Sequence, residues 1–216
     1  MILPRIRSRW SKMLDRQHQR PLGWMGRIIG ERMAIQHWPE TQWTIEQLNL
    51  LPQDHVLELG FGAGRALELA LNASNRGRVV GVEISPAMIQ AARMKLRRSP
   101  FQQNALLLRA NIQNLPLAAY AFDKIFSIHT FYFWLEPEIV LSDLFRRLTA
   151  RGKLMLTMST AKRDDSGRWV FSPLQTTLEQ KILPAMDRIG FQQVTLQYGP
   201  DSRAYNSVAL TATKSI

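Results

Sequence analysis

Between residues 55 and 158 the chain alternates short apolar runs with helix-period stretches, and this alternation limits the fold more than any other feature. Val56–Leu59, Val79–Glu83 and residues 106–108, 124–128 and 153–158 read as strands. Arg65–Ala73 and residues 86–98 and 138–148 carry helical periodicity between them. The second of these helices opens on Pro86, which suits a first turn. Strands separated by helices have room for crossover connections, so they form a mainly parallel sheet covered on both faces. The tail departs from this rhythm. Residues 176–189 read as a helix interrupted at Pro184, and residues 194–198 and 208–213 as two further strands. Only a loop containing Gly199-Pro200-Asp201-Ser202 separates that last pair. It is too short for a crossover helix, so the pair is expected to be an antiparallel hairpin completing a seven-stranded sheet.

Composition excludes several classes. The 216 residues contain no cysteine, which removes a disulfide scaffold, a thiolate zinc site and a thiol nucleophile together. No apolar run approaches the ~18 residues of a membrane span. A 45% hydrophobic content with six Trp and nine Phe is not that of a mostly disordered chain. The net charge of +11 is unevenly placed. Arg5, Arg7, Arg9, Lys12, Arg16, Arg20, Arg27 and Arg32 face only Asp15 and Glu31 in the first 32 residues. Residues 1–40 are therefore read as a basic helical extension and residues 41–216 as the domain proper. In the extension, Leu3, Ile6, Trp10, Met13 and Leu14 form one stripe of an amphipathic helix. Arg5, Arg9, Lys12, Arg16 and Arg20 form the other, and Pro21 ends it. Such a helix fits an anionic membrane surface, and equally a lid whose arginines face water. The stretches Gly23 through Arg27 and Met33 through Trp43 suit a cover over a site. No apolar core of the kind a secretory signal needs follows the basic start, so a cytoplasmic chain, peripheral to a membrane on the first reading, is expected.

The first strand runs directly into Glu58-Leu59-Gly60-Phe61-Gly62-Ala63-Gly64, which opens a helix. Gly60 permits a tight turn, Gly62 lets the backbone approach a ligand, and Gly64 lets the loop enter the helix. A dinucleotide fingerprint would need glycine at position 65, where Arg65 stands. An acid at Glu58 suits a positive ligand and would be a poor neighbour for a pyrophosphate.

This string resembles motif I of the class I S-adenosylmethionine (SAM) dependent methyltransferases. Residues 122–128 resemble the family's fourth strand, and Gly152 is what remains of its Pro-Gly-Gly turn before the fifth. The resemblance covers residues 41–213. It implies a three-layer, Rossmann-like α/β fold whose last strand is antiparallel, an N-terminal segment packed over the site, and SAM as cofactor. It also implies that Glu58, Gly60, Phe61, Gly62 and Gly64 hold the cofactor and that Glu83, ending the second strand, accepts its ribose hydroxyls. Ile84 and Met88 fall beside Glu83, with Ser85 as a helix cap and Met88 against the adenine. Asn111 stands where the family commonly has Asp. Its side-chain carbonyl can still accept from the adenine amine, with Ile112 on the ring face; alternatively the segment is a polar turn.

His129 ends the fourth strand, on the ligand side of such a sheet. It is the best-placed candidate base for an acceptor that must lose a proton, or it shapes the pocket by a hydrogen bond. Tyr132 and Glu136 are weaker candidates, and Phe131, Phe133 and Trp134 are core or pocket wall. His18 and His37 lie in the N-terminal segment, and His55 begins the first strand at the far edge. No His/Asp/Glu spacing suggests a metal. The expected activity is methyl transfer to a small or lipid-like acceptor by in-line displacement. The alternatives are an RNA methyltransferase, favoured by net charge, and a non-catalytic SAM-binding module at a membrane surface.

Overall fold

The computed structural model describes residues 37–117 and 121–215. The expected amphipathic helix of the first twenty residues, and the Gly23 through Arg27 stretch, lie outside the described residues. The described chain begins with α1 (Trp38–Leu48), so the boundary expected at residue 40 falls inside a helix. Then follow β1 (Val56–Leu59), α2 (Arg65–Ala73), β2 (Val79–Glu83), α3 (Pro86–Leu96), β3 (Ala105–Arg109), β4 (Phe122–Ile128), α4 (Pro137–Arg147) and β5 (Leu148–Met158). A small hairpin comes next, β6 (Ala161–Arg163) and β7 (Trp169–Phe171). The chain continues as α5 (Pro173–Thr177), a π-helical turn (Leu178–Ile182), α6 (Leu183–Ile189), β8 (Phe191–Tyr198) and β9 (Val208–Lys214).

Seven strands form one sheet in the order β3-β2-β1-β4-β5-β9-β8. β9 alone runs against its neighbours, antiparallel to both β5 and β8. The seven-stranded α/β sheet with a reversed last strand is thus present. Every residue of β1 and β2 is buried, as strands covered on both faces require. One core layer, including Leu57, Leu59, Ile125, Leu141 and Leu156, lies on one face. The other, including Val56, Leu67, Leu71, Phe126 and Met155, lies on the opposite face. Strand order reverses between β1 and β4, and the carboxyl ends of β1, β2, β3 and β4 share one edge. In open α/β sheets ligands bind beyond that edge, where the order reverses.

Several local features differ from the sequence reading, among them β8 and the helix before it, each of which begins three residues earlier than expected. β5 begins five residues earlier than expected, because Arg151 (φ 62°) and Gly152 form an irregularity in the strand instead of a turn before it. The β6–β7 hairpin was not expected. It closes on an Asp164–Gly167 turn and stacks the Arg163 guanidinium 4.2 Å from the Trp169 ring centre. The helix before β8 is interrupted ahead of Pro184 and not at it. The proline lacks an N–H to donate, and the wide turn just before it absorbs the mismatch. Finally, α3 stops at Leu96, two residues short of expectation.

α1 is tied to the sheet by specific bonds. The Thr44 and Thr157 hydroxyls meet at 2.7 Å in the interior, and Lys153 Nζ donates to the Gln47 carbonyl at 2.6 Å. One turn before Thr44 sits Glu40. These bonds bring that residue over the end of β4.

Candidate active site

The glycine loop leaves β1 with Gly60 at φ 72°, and the Gly60 amide donates to the Val82 carbonyl at 2.7 Å. A Cβ at Gly60 would stand 2.3 Å from Thr130 Cγ2, so only glycine fits there. At Gly62, also at positive φ (51°), a Cβ would meet nothing within 4 Å, because this residue faces open space. Gly64 has a different job. Its Cβ would stand 2.7 Å from Ala92 Cβ, so its smallness lets α2 approach α3.

Above the loop lies a cavity of about 440 Å³, within the size range of small-molecule sites. Glu58, Gly60, Phe61, Gly62, Glu83, Ile84, Met88, Asn111, Ile112 and His129 all line it. Of the expected cofactor residues only Gly64 does not, for the packing reason just given. Phe131 belongs to the core, Phe133 to the cavity wall, and Trp134 to both.

Glu83 is engaged by the backbone. Its Oε2 accepts from the Gly62 amide at 3.0 Å and its Oε1 from the Ser85 amide at 2.8 Å. Burial raises its pKa while those bonds act in the opposite direction. Ser85 caps α3, accepting from the Met88 amide at 3.4 Å. Glu58 is buried, with no donor to its Oε2 among the described residues. Burial first, and then the charge of Glu83, push its carboxyl well above the usual range. Asn111 Oδ1 accepts from the Gln113 amide at 3.0 Å, so the polar turn is present and one lone pair of the carbonyl remains.

The opposite wall carries a chain of bonded side chains. Glu40 Oε1 lies 2.5 Å from His37 Nδ1 and 3.0 Å from His129 Nε2. Burial opposes ionisation of Glu40, yet the bonds from His129 and His37 hold its carboxyl at about 2. A carboxylate has no proton to give, so both imidazoles donate to it. His129 Nδ1 is then an acceptor, 3.0 Å from the Tyr132 hydroxyl, and that hydroxyl accepts from the Ser159 amide at 2.6 Å. Burial lowers the His129 pKa and keeps the ring neutral, and burial pushes the Tyr132 phenol up to about 12. Both nitrogens of His129 are therefore occupied. Its backbone sits at φ 57°, a region a non-glycine residue enters only when its surroundings require it. His37, Gln113 and Leu135 line the cavity without having been singled out as site residues. The contact between Glu40 and His129 joins positions 89 residues apart, which no local pattern records.

Residues 57–156 match the family described as "Methyltransferase domain". The chain is 27% identical over 188 residues to the uncharacterized methyltransferase YdaC of Bacillus subtilis (strain 168), covering 87% of this chain and 98% of that protein. It is 28% identical over 106 residues to a ubiquinone/menaquinone biosynthesis C-methyltransferase of Wigglesworthia glossinidia brevipalpis, covering 49% of this chain but only 42% of the relative. The fold matches that of a SAM-dependent methyltransferase from Aquifex aeolicus with a TM-score of 0.67 at 18% identity, over 87% of this chain and 97% of that one. Residues 57–156 are thus a SAM-dependent methyltransferase domain, and SAM is its cofactor.

The cavity fits that molecule. Three buried polar atoms of its lining have no partner among the described residues: Glu58 Oε2, Gln113 Nε2 and Trp134 Nε1. A buried carboxyl that a positive group would ionise, with two neutral donors, complements a ligand bearing a positive amino group and heteroatom acceptors. Gly62 leaves the floor clear.

Proposed function

We propose that this protein methylates a small, lipid-like acceptor at the apolar mouth of the cavity. The observation that carries this reading is the wall of exposed apolar side chains there. Ile84, Phe133 and Leu135 line the opening together, all three exposed and Leu135 at 84%, and an apolar cluster of this kind marks a ligand-binding groove. Small-molecule sites combine such apolar walls with a few placed polar groups. The quinone C-methyltransferase relative supports an acceptor of this kind.

SAM, when bound, supplies an electrophilic methyl group on a sulfonium. The residues proposed to hold it are Glu58 for the positive end, Gly60 and Gly62 for close approach, Glu83 for the ribose hydroxyls, and Ile84, Met88, Asn111 and Ile112 for the base. Glu83 has lone pairs left after accepting two amides. Phe61 underlies the loop, where the missing side chain of Gly81 makes room for its ring. His129, with both nitrogens taken, acts in this reading by fixing the cavity wall. In-line transfer needs alignment and exclusion of water more than a base. The net charge of +11 favours RNA as a second acceptor class and an anionic membrane as a second surface.

Incubating the chain with SAM tritiated on its methyl group and a fractionated cell extract tests the proposal. Label is expected in the organic-extractable small molecules. Label in RNA would replace this reading with the second, and label nowhere would leave a non-catalytic SAM-binding module.

A further inference from the structure

We propose that His37, Glu40 and His129 form a site for one divalent transition-metal ion of the zinc class, open on its fourth side to the cavity. The site deepens the methyl-transfer reading and rests on it only for the use made of the ion. Its existence stands on these three side chains.

The three ligand atoms lie within 4.8 Å of one another, brought together from the start of α1 and the end of β4. Two imidazoles and one carboxylate, with no thiolate, suit zinc and its first-row neighbours in preference to magnesium or calcium. Two His and one Glu, with a fourth position left to water or substrate, is a donor set of catalytic zinc. For bonds of about 2.1 Å at tetrahedral angles, ligand atoms stand about 3.4 Å apart. The present separations of 2.5 and 3.0 Å from Glu40 Oε1 would open by less than an ångström, and the two imidazole nitrogens, within 4.8 Å of each other, would draw together.

A second observation points to a cation. Glu40 is 1% exposed, and its Oε2 has no partner among the described residues. A carboxylate kept for hydrogen bonding alone is expected to have both oxygens used. Here one oxygen serves two imidazoles and the other serves none.

The surroundings are those of a metal site. Ligating imidazoles are usually held through their second nitrogen. His129 Nδ1 is held by Tyr132, and Tyr132 by Ser159. The Thr41 hydroxyl donates to the His37 carbonyl at 2.5 Å and fixes the backbone there. Ion uptake changes tautomers without net proton loss. His37 and His129 present lone pairs to the ion, and the displaced protons sit on their other nitrogens. His129 Nδ1–H then donates to the Tyr132 oxygen, whose own proton turns to the Ser159 carbonyl 3.3 Å away. Since His37 and His129 both line the cavity, the fourth position faces it. An acceptor hydroxyl bound there would ionise more readily. The proton leaves to solvent through the open cavity, and His129 contributes to this as a ligand of the ion, taking up no proton itself.

The test uses the full, untagged chain stripped of metal and titrated with Co²⁺ and then Zn²⁺ alone. One Co²⁺ per chain is expected, with visible bands of a four- or five-coordinate N/O site that Zn²⁺ abolishes. His37→Ala, Glu40→Gln and His129→Ala should each weaken binding at least tenfold, and Tyr132→Phe roughly tenfold. His55→Ala, at the other edge of the sheet, should bind as wild type. Circular dichroism confirms folding, and if Glu40→Gln does not fold, His37→Ala decides. Absence of stoichiometric binding by the wild type, or binding that survives both His37→Ala and His129→Ala, overturns the site. SAM titration of the same samples reads the cofactor cavity separately, so that failure of one does not pass for failure of the other.

Discussion

The Glu83 carboxylate accepts the Gly62 amide at 3.0 Å, so the end of β2 holds the tip of the glycine loop in place. Loop shape and the proposed ribose recognition thereby depend on one side chain. Loss of a charge-assisted hydrogen bond costs ~1.5–3 kcal/mol, roughly ten- to a hundredfold in affinity. Glu83→Ala should weaken SAM by about that factor with the fold retained. Calorimetric titration checks it, and unchanged affinity in a folded variant would move the ribose site elsewhere.

Gly62→Ala and Gly64→Ala should fail in different ways. Both place alanine at positive φ, a cost of roughly 1–2 kcal/mol. At Gly62 the methyl group enters open cavity, so SAM affinity falls and stability drops only by the backbone cost. At Gly64 it strikes Ala92, and overpacking adds roughly 1–3 kcal/mol. Melting temperatures and SAM titration of the pair should separate the two; equal melting temperatures would contradict the packing role of Gly64.

Glu58 predicts a pH dependence of opposite sign to the usual acid. Its carboxyl is raised in the folded state, so folded protein binds the proton more tightly than unfolded chain does. Stability is full below the ordinary carboxylate range and declines as pH rises from that range through the raised pKa. Glu58→Gln should flatten this decline, melt higher than wild type at neutral pH, and bind SAM more weakly. Thermal melts of both proteins from pH 4 to 8 in the absence of SAM provide the check. Parallel pH curves would show that Glu58 carries no such load.

Leu135→Ser removes an exposed side chain from the cavity mouth. Melting temperature should not change. The KM for an apolar acceptor should rise about tenfold, as expected for losing most of an aliphatic contact, while kcat holds. An unchanged KM would place the acceptor elsewhere.

Residues 1–20 carry five basic side chains on one predicted helical stripe. At ~1 kcal/mol per basic residue near an anionic membrane, vesicle co-sedimentation should require anionic lipid, fall with salt and vanish when these residues are deleted. A lid would instead show no vesicle binding at all, and the deletion would lower SAM affinity.

Much of the fold was legible because parallel strands buried on both faces are short apolar runs. Val56–Leu59 and Val79–Glu83 stand out from any background. The three-residue strands β6 and β7 do not, since Ala161–Arg163 has no apolar pattern and Trp169–Phe171, though apolar, is too short to stand out. The cavity floor was legible for the same reason as the strands, because Glu58, Gly60, Gly62 and Glu83 sit at their ends. The wall was not. His37 caps α1 and Glu40 lies three residues on, but what gives them meaning is His129, turned toward them by a left-handed backbone at the end of β4 while the Thr44–Thr157 bond holds α1 over it. Such long-range convergence leaves no periodic trace.

β9 lies between β5 and β8 although it follows both in the chain. During synthesis β8 is made with no neighbour to pair with, and β5 waits with one edge bare. The sheet stays in two parts until β9 emerges to join them. Pairing by this late, interior strand has the character of a final cooperative closure. Nascent chains stalled before residue 208 should therefore hold an exposed β5 edge and depend on chaperones, whereas chains released past Lys214 should not.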